Sequence, residues 1–119
     1  MTDIQHNKQT IILIHGFHSD SSAMGSIFRF LKKDFNPILA EVPLSFQDPL
    51  IIVDQIKKQI KELIKAGNDT LSFVGHSTGG IIIRMLMNDQ NIARHTRHCI
   101  FIGVPNKGTV LAELHGKLP

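Results

Sequence analysis

Leu71-Ser72-Phe73-Val74-Gly75-His76-Ser77-Thr78-Gly79-Gly80 is the stretch on which the fold turns. Leu71 to Val74 is a short, mostly apolar run of the length and character of a buried strand. Beyond the glycines, Ile81, Ile82, Met85 and Leu86 recur at the spacing of one helix face. The β-branched triplet Ile81-Ile82-Ile83 is a poor helix former, so the helix, expected over about 79–88, is read from its surroundings. Between strand and helix stands Gly75-His76-Ser77-Thr78-Gly79, a Gly-x-Ser-x-Gly string. Glycine at both flanks lets the two backbones approach closely, and a serine at such a turn is pushed into the open. A nucleophilic serine needs an exposed hydroxyl, a base for its proton and donors for the oxyanion. The turn supplies the first, and the helix N-terminus aims its dipole at the same place.

Working outward, three further apolar runs alternate with segments of helical period. Thr10 to Ile14 is apolar or β-branched throughout and predicts a strand covered on both faces. Ser21-Ser22 offers a cap, and Met24, Ile27, Phe28 and Leu31 follow at helical spacing, closed by Lys32 and Lys33. Pro37 to Val42 predicts a second strand. Asp48-Pro49 reads as an N-cap with proline at the first helical position. The helix after it turns Val53, Ile56, Ile60, Leu63 and Ile64 inward, and Gly67 suits its left-handed end. His98 to Gly103 predicts the fourth strand, followed by a loop and one short helix around Val110 to His115. Strands alternating with helices predict a parallel sheet with right-handed crossovers, in one domain spanning residues 1–119.

His15-Gly16-Phe17 at the end of the first strand adds a second signal, and Gly103-Val104-Pro105-Asn106-Lys107-Gly108-Thr109 after the fourth a third. With these three motifs in this order, residues 10–109 resemble the α/β-hydrolase family, in its bacterial lipase and esterase branch. The resemblance implies a three-layer α/β sandwich: a mainly parallel sheet of about four strands, helices on both faces, truncated after the strand that follows the nucleophile helix. It implies the strand order second, first, third, fourth. It makes Ser77 the nucleophile and the backbone N–H groups of Phe17 and Thr78 the oxyanion hole, with Gly16, Gly75 and Gly79 forming the turns and His15 and His76 shaping the pocket. The implied substrate is a small-molecule or lipid carboxylic ester, with no cofactor.

In that family a carboxylate and a histidine follow the serine in the chain. Downstream of Ser77 stand Asp89, His95, His98, Glu113 and His115. Asp89 falls at the far end of the helix leaving Ser77, on the order of 15 Å away at 1.5 Å per residue. His95 and His98 flank the start of the fourth strand, at the wrong edge of the sheet. Glu113 and His115 follow its carboxyl end and are the remaining candidates, although one residue separates them. Two hypotheses follow: an ester hydrolase, or a truncated or degenerate hydrolase without turnover, acting as scaffold, fragment or self-associating module through an open sheet edge.

Composition narrows the rest. The 119 residues are 42% hydrophobic and 19% charged, with a net charge of +3 and a pI near 9.3. The densest basic run, Lys57 to Lys65, reads as the wet face of a helix, and aromatics are phenylalanine only, so no nucleic-acid partner is expected. No apolar stretch is long enough for a membrane span, and the polar residues 1–9 carry no secretory h-region, so the expected compartment is the cytoplasm. Cys99 cannot form an internal disulfide and reads as a small buried hydrophobe. His95 and His98 lack a third ligand at zinc spacing, and Gly75 to Gly80 lacks the lysine of a phosphate loop, so no metal or nucleotide is expected.

Overall fold

The structure, a computed structural model, describes residues 8–16, 21–40 and 48–103. In chain order the elements are β1 (Thr10–Ile14), α1 (Ser21–Leu31), β2 (Asn36–Leu39), α2 (Pro49–Lys65), β3 (Leu71–His76), α3 (Gly79–Leu86), α4 (Gln90–Arg94) and β4 (Thr96–Ile102). The strands form one sheet in the order β2-β1-β3-β4, and every pairing is parallel. This is the order expected from the three motifs. The tail helix expected around Val110 to His115, and the second strand beyond residue 40, lie outside the described residues.

Burial explains the order. All five residues of β1 are buried, as are the first five of β3, so these two strands take the centre. Pro37 sits in β2, an edge strand, where a missing N–H costs least. Two apolar clusters lie on opposite faces of the sheet. The larger joins Ile12, Ile14 and Phe73 to Ile56 and Ile60 of α2 and Ile82, Ile83 and Leu86 of α3. The smaller joins Ile11, Leu13 and Val74 to Met24 of α1. The result is three layers, with α1 on one face and α2 and α3 on the other.

Local chemistry sets the helix ends. Asp48 caps α2 by accepting from Leu50 N at 2.9 Å, with Pro49 in the first turn, as the sequence predicts. At the other end Asn68 N donates to Leu63 O and Gly67 N to Ile64 O, a Schellman closure through Gly67 at φ +106°. α1 opens at Ser21; the cap expected from Ser21-Ser22 falls on side chains outside the described set. The triplet Ile81-Ile82-Ile83 is helical despite its propensity, because all three side chains are buried. The one element the sequence reading lacked is α4. Asp89 starts it by accepting from Asn91 N at 3.0 Å and Ile92 N at 3.2 Å. β4 then begins at Thr96, two residues earlier than expected, and a bulge at its start accommodates Arg97 opposite the Leu71/Ser72 step.

β4 pairs with β3 on one side, and among the described residues nothing pairs with its other edge. On the α1 side the cover stops at β3: Val74 is 3% exposed, and Ile100, level with it on β4, is 51% exposed. Phe101, on the other face, is 42% exposed, with the Arg84 guanidinium 5.7 Å from its ring centroid.

Candidate active site

β3 delivers Ser77 at the carboxyl edge of the sheet, one residue past its last strand residue and two before α3. Its φ is +57°, and among the described residues it is the one non-glycine with positive φ. A Cβ in the left-handed region is disfavoured by about 1–2 kcal/mol, so the surrounding contacts must hold it. They are visible. Ser77 N donates to Ile102 O of β4 at 3.0 Å, and Ser77 O accepts from Gly80 N at 3.1 Å. Thr78 O accepts from Ile81 N and Ile82 N, which launches α3 directly from the turn.

Glycine makes the close approach possible. A Cβ on Gly75 would stand 2.7 Å from the Gly80 backbone and from Ile83 Cδ1. A Cβ on Gly79 would overlap the Ile14 carbonyl oxygen at the end of β1. Gly16 ties the first strand to the same turn: a Cβ there would collide with Thr78 Oγ1, at 2.9 Å from Thr78 N and 3.2 Å from Ser77 Cβ. The end of β1 is therefore packed against the residue that follows Ser77. The His15 ring turns back on this loop, donating from Nδ1 to Gly16 O at 2.9 Å. His76, the last residue of β3, is half-buried, and its Nδ1 is buried without a hydrogen-bond partner. Phe17, Asn106, Glu113 and His115 lie outside the described residues.

Among the described residues the Ser77 hydroxyl has no hydrogen-bond partner, and two of the downstream candidates, Asp89 and His95, are engaged elsewhere. Asp89 caps α4 and pairs with Lys61 at 3.3 Å and Lys57 at 3.9 Å. The Ile92 N–H and then Lys61 hold its carboxyl below the usual carboxylate range against the opposing effect of burial. His95 donates from Nδ1 to Asn91 O at 2.7 Å, and His98 projects from the exposed β4. No group of three or more metal-ligating side chains occurs among the described residues. Cys99 is half-buried, and desolvation pushes its thiol upward. Among the described residues no helix is long and apolar enough to cross a membrane.

Residues 5–107 match the family model described as "Putative serine esterase (DUF676)". The chain belongs to this family. Among curated proteins, this esterase-family chain is similar to esterase YbfF of Escherichia coli (strain K12), with 30% identity over 86 residues, 69% of this chain and 34% of that protein. Among solved structures it is similar to the mature Bacillus licheniformis lipase BlEst2. The TM-score is 0.69 at 20% identity, over 92% of this chain and 46% of the lipase. It is also similar to MGS-MChE2, an alpha/beta hydrolase from a lagoon-sediment metagenome, with a TM-score of 0.59 at 20% identity, over 92% of this chain and 50% of that one. The fold is thus that of the α/β hydrolases, and the chain spans about a third of the curated relative and about half of each of these structures.

Proposed function

We propose that the chain carries the nucleophile and oxyanion hole of a serine esterase acting on carboxylic esters. Ser77 Oγ attacks the ester carbonyl carbon, and the Phe17 and Thr78 N–H groups receive the charge that develops on the carbonyl oxygen. The observation that carries the reading is the left-handed Ser77 at a strand-to-helix turn, with the end of β1 packed against Thr78. A non-glycine residue is held in a disfavoured conformation where its function requires it. The substrate is a small-molecule or lipid ester; its acyl length and leaving group depend on residues beyond those described. A fluorophosphonate probe tests the proposal, since Ser77 Oγ displaces fluoride at phosphorus and releases its proton. Labelling of the wild-type chain that vanishes in Ser77→Ala is the expected result. A folded chain that resists labelling would sink it.

A second reading is a degenerate hydrolase or fragment that keeps the turn without turnover. The observation in its favour is that Asp89 and His95, two of the candidate partners, are held elsewhere by α4 and Lys61. Loss of a triad histidine costs several orders of magnitude in rate, with residual catalysis from the oxyanion hole. In this reading the bare β4 edge, with Ile100, Phe101 and Ile102 exposed, drives self-association. Hydrolysis of a p-nitrophenyl ester by the full chain separates the two.

A further inference from the structure

His76 immediately precedes the proposed nucleophile, yet nothing in the attack or in the oxyanion hole uses its ring. Its side chain lies on the α1 face of the sheet, the face of Val74 two residues earlier. A Cβ placed on Gly103 would meet Nε2 at 3.9 Å and Cδ2 at 4.0 Å. The Cδ2–Nε2 edge of the ring therefore faces the end of β4, and Nδ1 is turned away from it. That Nδ1 is buried and unpartnered, although the residue as a whole is half-exposed. The exposure thus belongs to other atoms of the residue.

Two other histidines set the contrast. His15 and His95 each place Nδ1 against a carbonyl oxygen, which can only accept, so both carry their proton on Nδ1. His76 has no acceptor there. A buried N–H without an acceptor is the rarer and costlier orphan, and a neutral ring avoids it by keeping a lone pair on Nδ1. The proton then sits on Nε2, the nitrogen facing Gly103. Glycine suits position 103, at φ +59°, and so no side chain of that residue stands against the nitrogen.

We infer that His76 is a specificity-determining residue: a neutral donor whose Nε2–H binds an acceptor oxygen flanking the scissile carbonyl, on the β4 side of Ser77. The preferred substrates carry an ether, hydroxyl or second carbonyl oxygen near the reacting ester, in place of a plain alkyl chain. This rests on the reading of Ser77 as nucleophile. A neutral hydrogen bond made in this way gives roughly a fivefold preference.

Two measurements on the full chain test it. Long-range proton–nitrogen correlation spectra of the histidine-labelled protein, recorded with the rings neutral, report the tautomer, and comparison with His76→Phe assigns the signal. The Nε2–H form is expected, and the Nδ1–H form overturns the inference. The second measurement uses two fluorophosphonates that differ in one position of the chain, ether oxygen or methylene. Wild type labels roughly fivefold faster with the ether probe, His76→Phe shows no preference, and His76→Gln, which retains a donor, recovers part of it. Equal rates with both probes in wild type, or an undiminished preference in His76→Phe, overturn the inference while leaving Ser77 as nucleophile. If neither probe labels wild type, the reading of Ser77 falls, and the tautomer still decides which nitrogen of His76 carries the proton.

Discussion

Replacing Ser77 by glycine is expected to make the protein more stable than replacing it by alanine, although both remove the nucleophile. The two variants lack the hydroxyl equally and differ in Cβ alone. At φ +57° that Cβ is opposed by about 1–2 kcal/mol, which glycine escapes. Against this, glycine gives the unfolded chain additional freedom, which costs roughly 0.5–1 kcal/mol. The net advantage of Ser77→Gly over Ser77→Ala is therefore about 0.5–1 kcal/mol. For a chain between the small and mid-sized domains this raises Tm by about 2–4 °C. Thermal unfolding of the two variants side by side, by circular dichroism and calorimetry, measures it. Probe labelling should be absent from both. A glycine variant that melts at or below the alanine variant would show that the turn holds no strain at Ser77, and the argument for a functional conformation there would lose its main support.

Four further outcomes follow from contacts in the structure. Gly79→Ala places a methyl group against the Ile14 carbonyl, where backbone must move on both sides, and should destabilise by about 3 kcal/mol. Gly25→Ala, whose Cβ would meet only Arg29 Nη1 at 3.6 Å, should instead stabilise by roughly 0.5–1 kcal/mol, and urea denaturation compares the two. Asp89→Ala should cost about 1 kcal/mol at neutral pH by removing the α4 cap, and Asp89→Asn should recover the capping part. Because folding lowers the Asp89 pKa, its ionic contribution is present above the ordinary value near 3.9 and is lost as pH falls below it. The gap between wild type and Asp89→Asn should therefore close in acid, and an unchanged gap would contradict the assignment. Ile100→Lys should lower static light scattering of the concentrated protein if the β4 edge drives self-association, and equal scattering from both proteins would exclude that edge.

The sheet was legible because its centre announces itself. β1 matches the expected span residue for residue, and continuous apolar runs at β1 and β3 say that both faces are covered. The turn was legible from Gly75 and Gly79, since only close backbone contact requires glycine at those two places. α4 was missed for a physical reason. It has five residues, too few for a periodic stripe, and its signal is the cap at Asp89. Downstream of a nucleophilic serine an aspartate also fits a catalytic acid, and Asp89-Gln90-Asn91-Ile92 carries the helix start in the cap alone. The same cap carried the chain early into β4, so the fourth strand opens at Thr96. The orphaned Nδ1 of His76 could not have been read from the sequence, because it depends on which ring edge meets β4.

The central pairing of the sheet also has a consequence in time. β1 lies at the heart of the fold, yet its long-range neighbour β3 begins about 60 residues later, where Thr10 meets Leu71. On a ribosome adding about 5–20 residues per second, β1 waits on the order of 3–12 s for the strand that covers its second edge. During that interval β2, four residues long, is its one strand partner among the described elements. The nascent chain thus holds a buried, mostly apolar strand half-paired for more than about a hundred thousand times as long as a hairpin takes to form. The yield of folded protein should respond to holdase chaperones and to slower translation before residue 71 more strongly than to any change in the stability of the finished domain.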